Sequence, residues 1–111
     1  MINLREFYEE HLELINAGDA DELVQWHYLP DSMLFTPHGV YQGHGQLVTL
    51  FRNYLPTLGN FQIHTETLIE SGDTMLVEAR ITNEVRSWRV YDAFVLRGEL
   101  IFRHFAGVLE G

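Results

Sequence analysis

"NFQIHTETLIESGDTMLVEARITNEV", residues 60–85, is the stretch that decides the fold. Side chains suited to a buried face recur there at every second position: Phe61, Ile63 and Thr65, then Met75, Val77, Ala79 and Ile81. A period of two belongs to a strand with one face buried and the other solvated. The step Ser71-Gly72-Asp73 between the runs carries turn residues, so the two strands pair antiparallel.

The same alternation continues downstream. In "WRVYDAFVL" (88–96), Trp88, Val90, Asp92, Phe94 and Leu96 share one face. In "ELIFRHFAGVL" (99–109), Leu100, Phe102, His104, Ala106 and Val108 do so, after a turn at Arg97-Gly98-Glu99. Tyr91, Val95, Ile101 and Phe105 then fall on the opposite face. Another hairpin must lie between Asn83 and Ser87.

Upstream of Gly59 the period is that of a helix. Leu4, Phe7, Tyr8, Leu12, Leu14 and Ile15 mark a first helix, stopped at Gly18. Asp19 with Glu22 forms a capping pattern that opens a short second helix through Leu23, Val24 and Trp26, closed off by Pro30. "SMLFTP" (32–37) is a short strand and "HGVYQGHG" (38–45) a glycine-punctuated turn. A third helix follows through Leu47, Val48, Leu50, Phe51 and Tyr54 and ends at Pro56. Three helices followed by a curved, mostly antiparallel sheet make an α+β architecture, with the helices covering one side of the sheet. At 111 residues, positions 1–111 are expected to form a single domain.

Seven basic against sixteen acidic residues leave a net charge of −9, which repels phosphate backbones and anionic lipid. Nucleic acid and membrane surfaces are therefore not expected partners. With no cysteine, thiolate catalysis and cysteine-based zinc sites are excluded. The acid-bearing N-terminal stretch lacks the pattern of a signal peptide, and a cytoplasmic location is the default expectation.

Asp92 is the residue out of place. A carboxylate on a face shared with Trp88, Phe94 and Leu96 either reaches water or belongs to a site, because an unpaired buried charge is costly. A structural alternative pairs it with Arg89 or Arg103. His104 points inward by the same parity, and His11 lies on the apolar stripe of the first helix, four residues after Phe7 and four before Ile15. His27, His38 and His44 have no metal-ligand spacing, so neither a metal nor a cofactor is expected.

The "NAGD" step between the first two helices, the Pro37 to Gly43 passage into the third helix, and the strand "VYDAFVLRGELI" resemble the NTF2-like superfamily, in its ketosteroid isomerase and SnoaL-like polyketide cyclase branch. The resemblance implies a conical α+β barrel with an apolar pocket, and a homodimer formed through the sheet. In ketosteroid isomerase an Asp base works with a Tyr and a protonated Asp that bind the oxyanion. By that resemblance His11 stands at the Tyr position, Asp92 at that of the protonated Asp, and Thr36 at that of the base. Thr36 cannot take a proton at neutral pH. SnoaL-like enzymes keep the cavity with other acids and bases, a pattern that Asp92 with His11 or His104 fits, and Phe51, Tyr54, Trp88 and Phe102 are the expected pocket wall. The expected function is cofactor-independent acid/base chemistry on a hydrophobic carbonyl compound. The alternative is a non-catalytic dimeric binding or association module.

Overall fold

The computed structural model describes residues 3–111. Helix α1 spans Leu4–Ala17; the Asn3 side chain accepts from the backbone N–H groups of Arg5 and Glu6 at its start, and Gly18, at φ 74°, ends it in the left-handed region. Helix α2 (Ala20–His27) starts on Asp19, whose carboxylate accepts from the Glu22 N–H. Strands β1 (Tyr28–Thr36) and β2 (Gly39–Gln42) form a hairpin, and helix α3 (Gly43–Tyr54) runs into a 3₁₀ turn at Leu55–Leu58. The meander is β3 (Gln62–Ser71), β4 (Thr74–Thr82), β5 (Ser87–Arg97) and β6 (Leu100–Glu110).

The six strands form one sheet in the order β2-β1-β6-β5-β4-β3, antiparallel throughout except for the parallel β1·β6 pair. The sheet is curved and remains open, with β2 and β3 as its edges, so the architecture is α+β without a closed barrel. Helices and inner sheet face share a core in which Leu23, Val24, Leu47, Met75, Val77 and Ile101 have almost no exposed surface. Each such aliphatic side chain contributes about 1.5–3 kcal/mol by leaving water.

Two expectations upstream of the meander need correction. Helix α2 stops at His27, before Pro30, and Pro30 lies inside β1. Proline is tolerated there because the β1·β6 register breaks between Tyr28 and Met33, freeing that stretch from the ladder. Residues 39–42 are a strand and not a turn; Gly39 and Gly43, both at positive φ, bracket it, and four residues are too few for a periodic signal.

A third correction concerns β6. Leu96 faces Ile101 while Val95 faces Arg103, so Phe102 is an extra residue, a β-bulge. The bulge reverses the parity at the start of the strand. Ile101 goes into the core, whereas Phe102 is sandwiched by the guanidinium groups of Arg97 and Arg103, at 3.7 and 3.8 Å from the ring centre. Beyond the bulge the expected face is restored, with His104 opposite Phe94 and Ala106 opposite Asp92. The β4–β5 hairpin is Asn83–Arg86, closed by the Asn83 carboxamide: its oxygen accepts from the N–H groups of Val85 and Arg86, and its nitrogen donates to the Leu58 carbonyl. Among the described residues no helix is long and apolar enough to cross a membrane.

Candidate functional site

The inner face of β5 changes character along its length. Trp88, Phe94 and Leu96 are buried, whereas Val90 and Asp92 between them are partly exposed. Across β6, His104 opposite Phe94 is buried, Ala106 opposite Asp92 is partly exposed, and Val108 opposite Val90 is 59% exposed. The concave face is therefore less covered on the β6 side of Asp92, while Trp88 and its β4 neighbours Ala79 and Ile81 remain packed beyond it.

Asp92 is bonded to neither arginine considered for it. Arg89 donates to Glu66, and Arg103 donates to the Phe102 carbonyl. The partner is His104, with Nε2 2.7 Å from Asp92 Oδ1. The other ring nitrogen, Nδ1, lies 2.9 Å from the hydroxyl of Tyr28, a fully buried residue. Strand register creates this line: β5 supplies the carboxylate, β6 the imidazole, and β1, parallel to β6, the phenol.

Two further phenols feel the Asp92 charge. Burial raises the pKa of Tyr8 and of Tyr54, and the Asp92 carboxylate raises both further; the Thr65 hydroxyl, 2.8 Å from that of Tyr8, opposes the shift of Tyr8, and the cation of Arg86 opposes that of Tyr54. Burial, then Asp92, pushes Tyr28 well above its ordinary range. All three keep their phenolic protons at neutral pH. Arg86 lies over the Trp88 ring, 4.0 Å from its centre.

His11 belongs to a second layer. It is buried, its Nδ1 is 3.0 Å from Nδ1 of His27, and its ring meets Phe94 and His104 edge-on at 5.1 and 6.3 Å between centroids. Burial, and after it the neighbouring His104 and His27, hold its pKa well below the imidazole range, and burial lowers His27 to about 4. Both rings are neutral packing groups behind the site.

Of the wall residues, Phe51 and Trp88 are buried, the Phe51 ring tilted against that of Tyr28 at 5.8 Å between centroids, and Tyr54 is 41% exposed. Phe102 keeps the company of Arg97 and Arg103 on the outer face. Thr36 is held in the β1–β2 turn, donating to the Gly39 carbonyl and accepting from the His38 N–H. The structure thus joins Asp92 to His104, sets His11 behind them, and leaves Thr36 and Phe102 apart. Tyr28 and Tyr8 were not anticipated; Tyr8 shares the apolar stripe with His11, but no sequence signal sets Tyr28 apart from an ordinary core aromatic.

Two surface concavities, of about 470 and 430 Å³, lie on the helical side, one lined by Val24, His44, Val48 and Arg52, the other by Gly18, Asp19 and Pro56. Neither includes Asp92 or His104. Among the described residues no group of three or more His, Cys, Asp or Glu side chains could hold a metal ion.

An open curved sheet under three helices, with a carboxylate and an imidazole paired on its concave face, defines an NTF2-like α+β protein. The chain belongs to the SnoaL-like domain family, whose model matches residues 7–104. No curated protein sequence matches it. Among solved structures it is similar to an NTF2-like protein of unknown function from Cytophaga hutchinsonii (12% identity, 97% of this chain and 91% of that one, TM-score 0.77). It is also similar to a SnoaL-like protein of unknown function from Burkholderia thailandensis (16%, 94% and 92%, TM-score 0.80). A third is a "putative polyketide cyclase" from Sinorhizobium meliloti (14%, 91% and 93%, TM-score 0.77). At these identities the likeness shows the fold alone.

Proposed function

We propose that the chain is a cofactor-independent enzyme that moves a proton beside a carbonyl group of a hydrophobic small molecule, leading to isomerisation, cyclisation or dehydration. The observation that carries this reading is the 2.7 Å Asp92–His104 pair on the less covered part of the concave face, where a carboxylate is both held in place and open to a ligand. The Asp92–His104 pair takes the proton from the carbon next to the carbonyl; the C–H electron pair becomes the enolate double bond, and charge collects on the oxygen. Tyr8 or Tyr54 supplies an O–H to that oxygen. A preorganised donor of this kind contributes about 3–4 kcal/mol to the transition state. Return of the proton at another carbon completes an isomerisation without an oxidant or reductant. The polyketide cyclase designation of one structural neighbour supports the substrate class.

The test is turnover of cyclic enones and polyketide mimics by the wild type and by Asp92→Asn. Loss of an acid/base group lowers the rate by about 10²–10⁴-fold. Full activity in the variant would refute the assignment.

A second reading, a non-catalytic dimeric ligand-binding or association module, is favoured by Thr36, whose hydroxyl is consumed by a turn at the family's base position. Under either reading the proposed macromolecular partner is a second copy of the chain. Val40, Phe35, Phe105, Ala93, Leu76 and Ile69 are successive cross-strand neighbours over all six strands, forming one apolar row on the outer face. Such a row is suited to self-association.

A further inference from the structure

We propose that Tyr28 is a positioning residue: its buried hydroxyl donates to His104 Nδ1, keeps the imidazole proton on Nε2, and so makes Asp92 the proton-accepting member of the pair. The groups facing His104 are Asp92, Tyr28, the ring of Phe94 at 4.4 Å between centroids, and the edge of His11. Tyr28 has one side-chain hydrogen bond among the described residues, the one to Nδ1. If Nδ1 carried a proton, in the other neutral tautomer or in the imidazolium, the Tyr28 oxygen would have to accept and its own O–H would be left without an acceptor in the core. Buried donors are rarely left so.

With the phenol donating, Nδ1 is the lone-pair nitrogen and Nε2–H points at Asp92 Oδ1. An Asp92 carrying a proton on Oδ1 would bring two hydrogens into that 2.7 Å gap, so Oδ1 accepts. The raised pKa of Tyr28, from burial and then from Asp92, keeps its proton in place. The bond fixes Oδ1 as an acceptor and leaves Oδ2 as the oxygen of Asp92 that can exchange a proton with a substrate. The backbone of Tyr28 is fixed as well, since His44 Nε2 donates to its carbonyl at 2.7 Å. The catalytic consequence rests on the proton-transfer function proposed above: the substrate proton goes to Asp92, whose Oδ1 stays bonded to His104 while Oδ2 receives it. The tautomer itself does not rest on that function.

The experiment is a long-range ¹H–¹⁵N correlation spectrum of the histidine rings at neutral pH, without any ligand, with His104→Gln to assign the signals. The wild type is expected to show an unprotonated Nδ1 and a protonated Nε2 at His104, with a bias of about tenfold or more. Tyr28→Phe, which removes one oxygen and keeps the ring, is expected to draw the two nitrogen shifts towards a mixed value. Asp92→Asn is expected to leave them nearly unchanged, because the phenol still donates and the amide oxygen still accepts. A wild-type ring protonated on Nδ1 would overturn the proposal, and so would an unchanged tautomer in Tyr28→Phe or a scrambled one in Asp92→Asn. If Tyr28→Phe does not fold, the wild-type and Asp92→Asn spectra decide. Since no turnover is read, failure of the proposed enzymatic function leaves these outcomes unaffected.

Discussion

At the scale of single residues, the His11–His27 contact has a consequence in acid. Two Nδ1 atoms 3.0 Å apart can share one proton and one lone pair, but two protonated rings would set N–H against N–H. Both folded-state pKa values lie below the unfolded one, His27 at about 4 and His11 well below the ordinary 6.5, so the unfolded chain binds more protons in this window. Their contribution to stability is complete above about pH 6.5 and is lost as the pH falls towards 4, at up to about 1.4 kcal/mol per pH unit for each ring. The melting temperature is expected to drop between pH 6.5 and 5, before most carboxylates titrate. A flat profile there would contradict the assignment. The inward aim of Asp92, His104 and His11 was legible from parity and helical stripe alone. What each touches was not: Asp92 meets His104 and not Arg89 or Arg103 because the β5·β6 register places the imidazole diagonally next to it on the inner face, while both arginines lie on the outer face, and register between distant segments has no local signature.

Among the elements, β6 shows how one extra residue alters the reading of a strand. Strict alternation assigns Phe102 to the core and Ile101 to the surface, and the bulge exchanges them. Ile101→Ala is therefore expected to destabilise by about 2–5 kcal/mol, the cost of a large-to-small change in a packed core. Phe102→Ala, which loses its stacking with two arginines, is expected to cost about 1–2 kcal/mol. Chemical denaturation of the two variants distinguishes the bulged strand from a regular one, for which the order would be reversed. The bulge also has a functional bearing, because without it Ile101 and His104, three residues apart, could not both face inward. Helices α1 and α2 were legible together with their caps, Gly18 and Asp19, since capping is local chemistry. Strand β2 was not, being a short edge strand that exists by pairing with β1.

For the whole molecule, the outer apolar row leads to a prediction about assembly. Phe35 and Phe105 stack at its centre, 4.8 Å between ring centres, with Phe105 38% exposed and Val40 and Ile69 at the ends at least half exposed. Light scattering is expected to give twice the chain mass for the wild type and the chain mass for Phe105→Arg, which sets a charge into the row. A monomeric wild type would remove the proposed interface. The row was only partly legible: Phe105 was assigned to the outer face correctly, but Ile101 was placed beside it and lies in the core. By itself, the sequence determined the class of fold, the order of helices before strands, the two hairpins of the meander with evident turns, and the inward direction of the three titratable groups. These follow from periodicity, capping and turn chemistry, each acting within a few residues. Only the tertiary structure decided that the sheet stays open, that bulges shift the register at Phe102 and in β1, and that Asp92, His104 and Tyr28 form one hydrogen-bonded line. Those features depend on how segments up to 76 residues apart meet, and pairing across such distances is set by packing of the whole core and not by any local pattern.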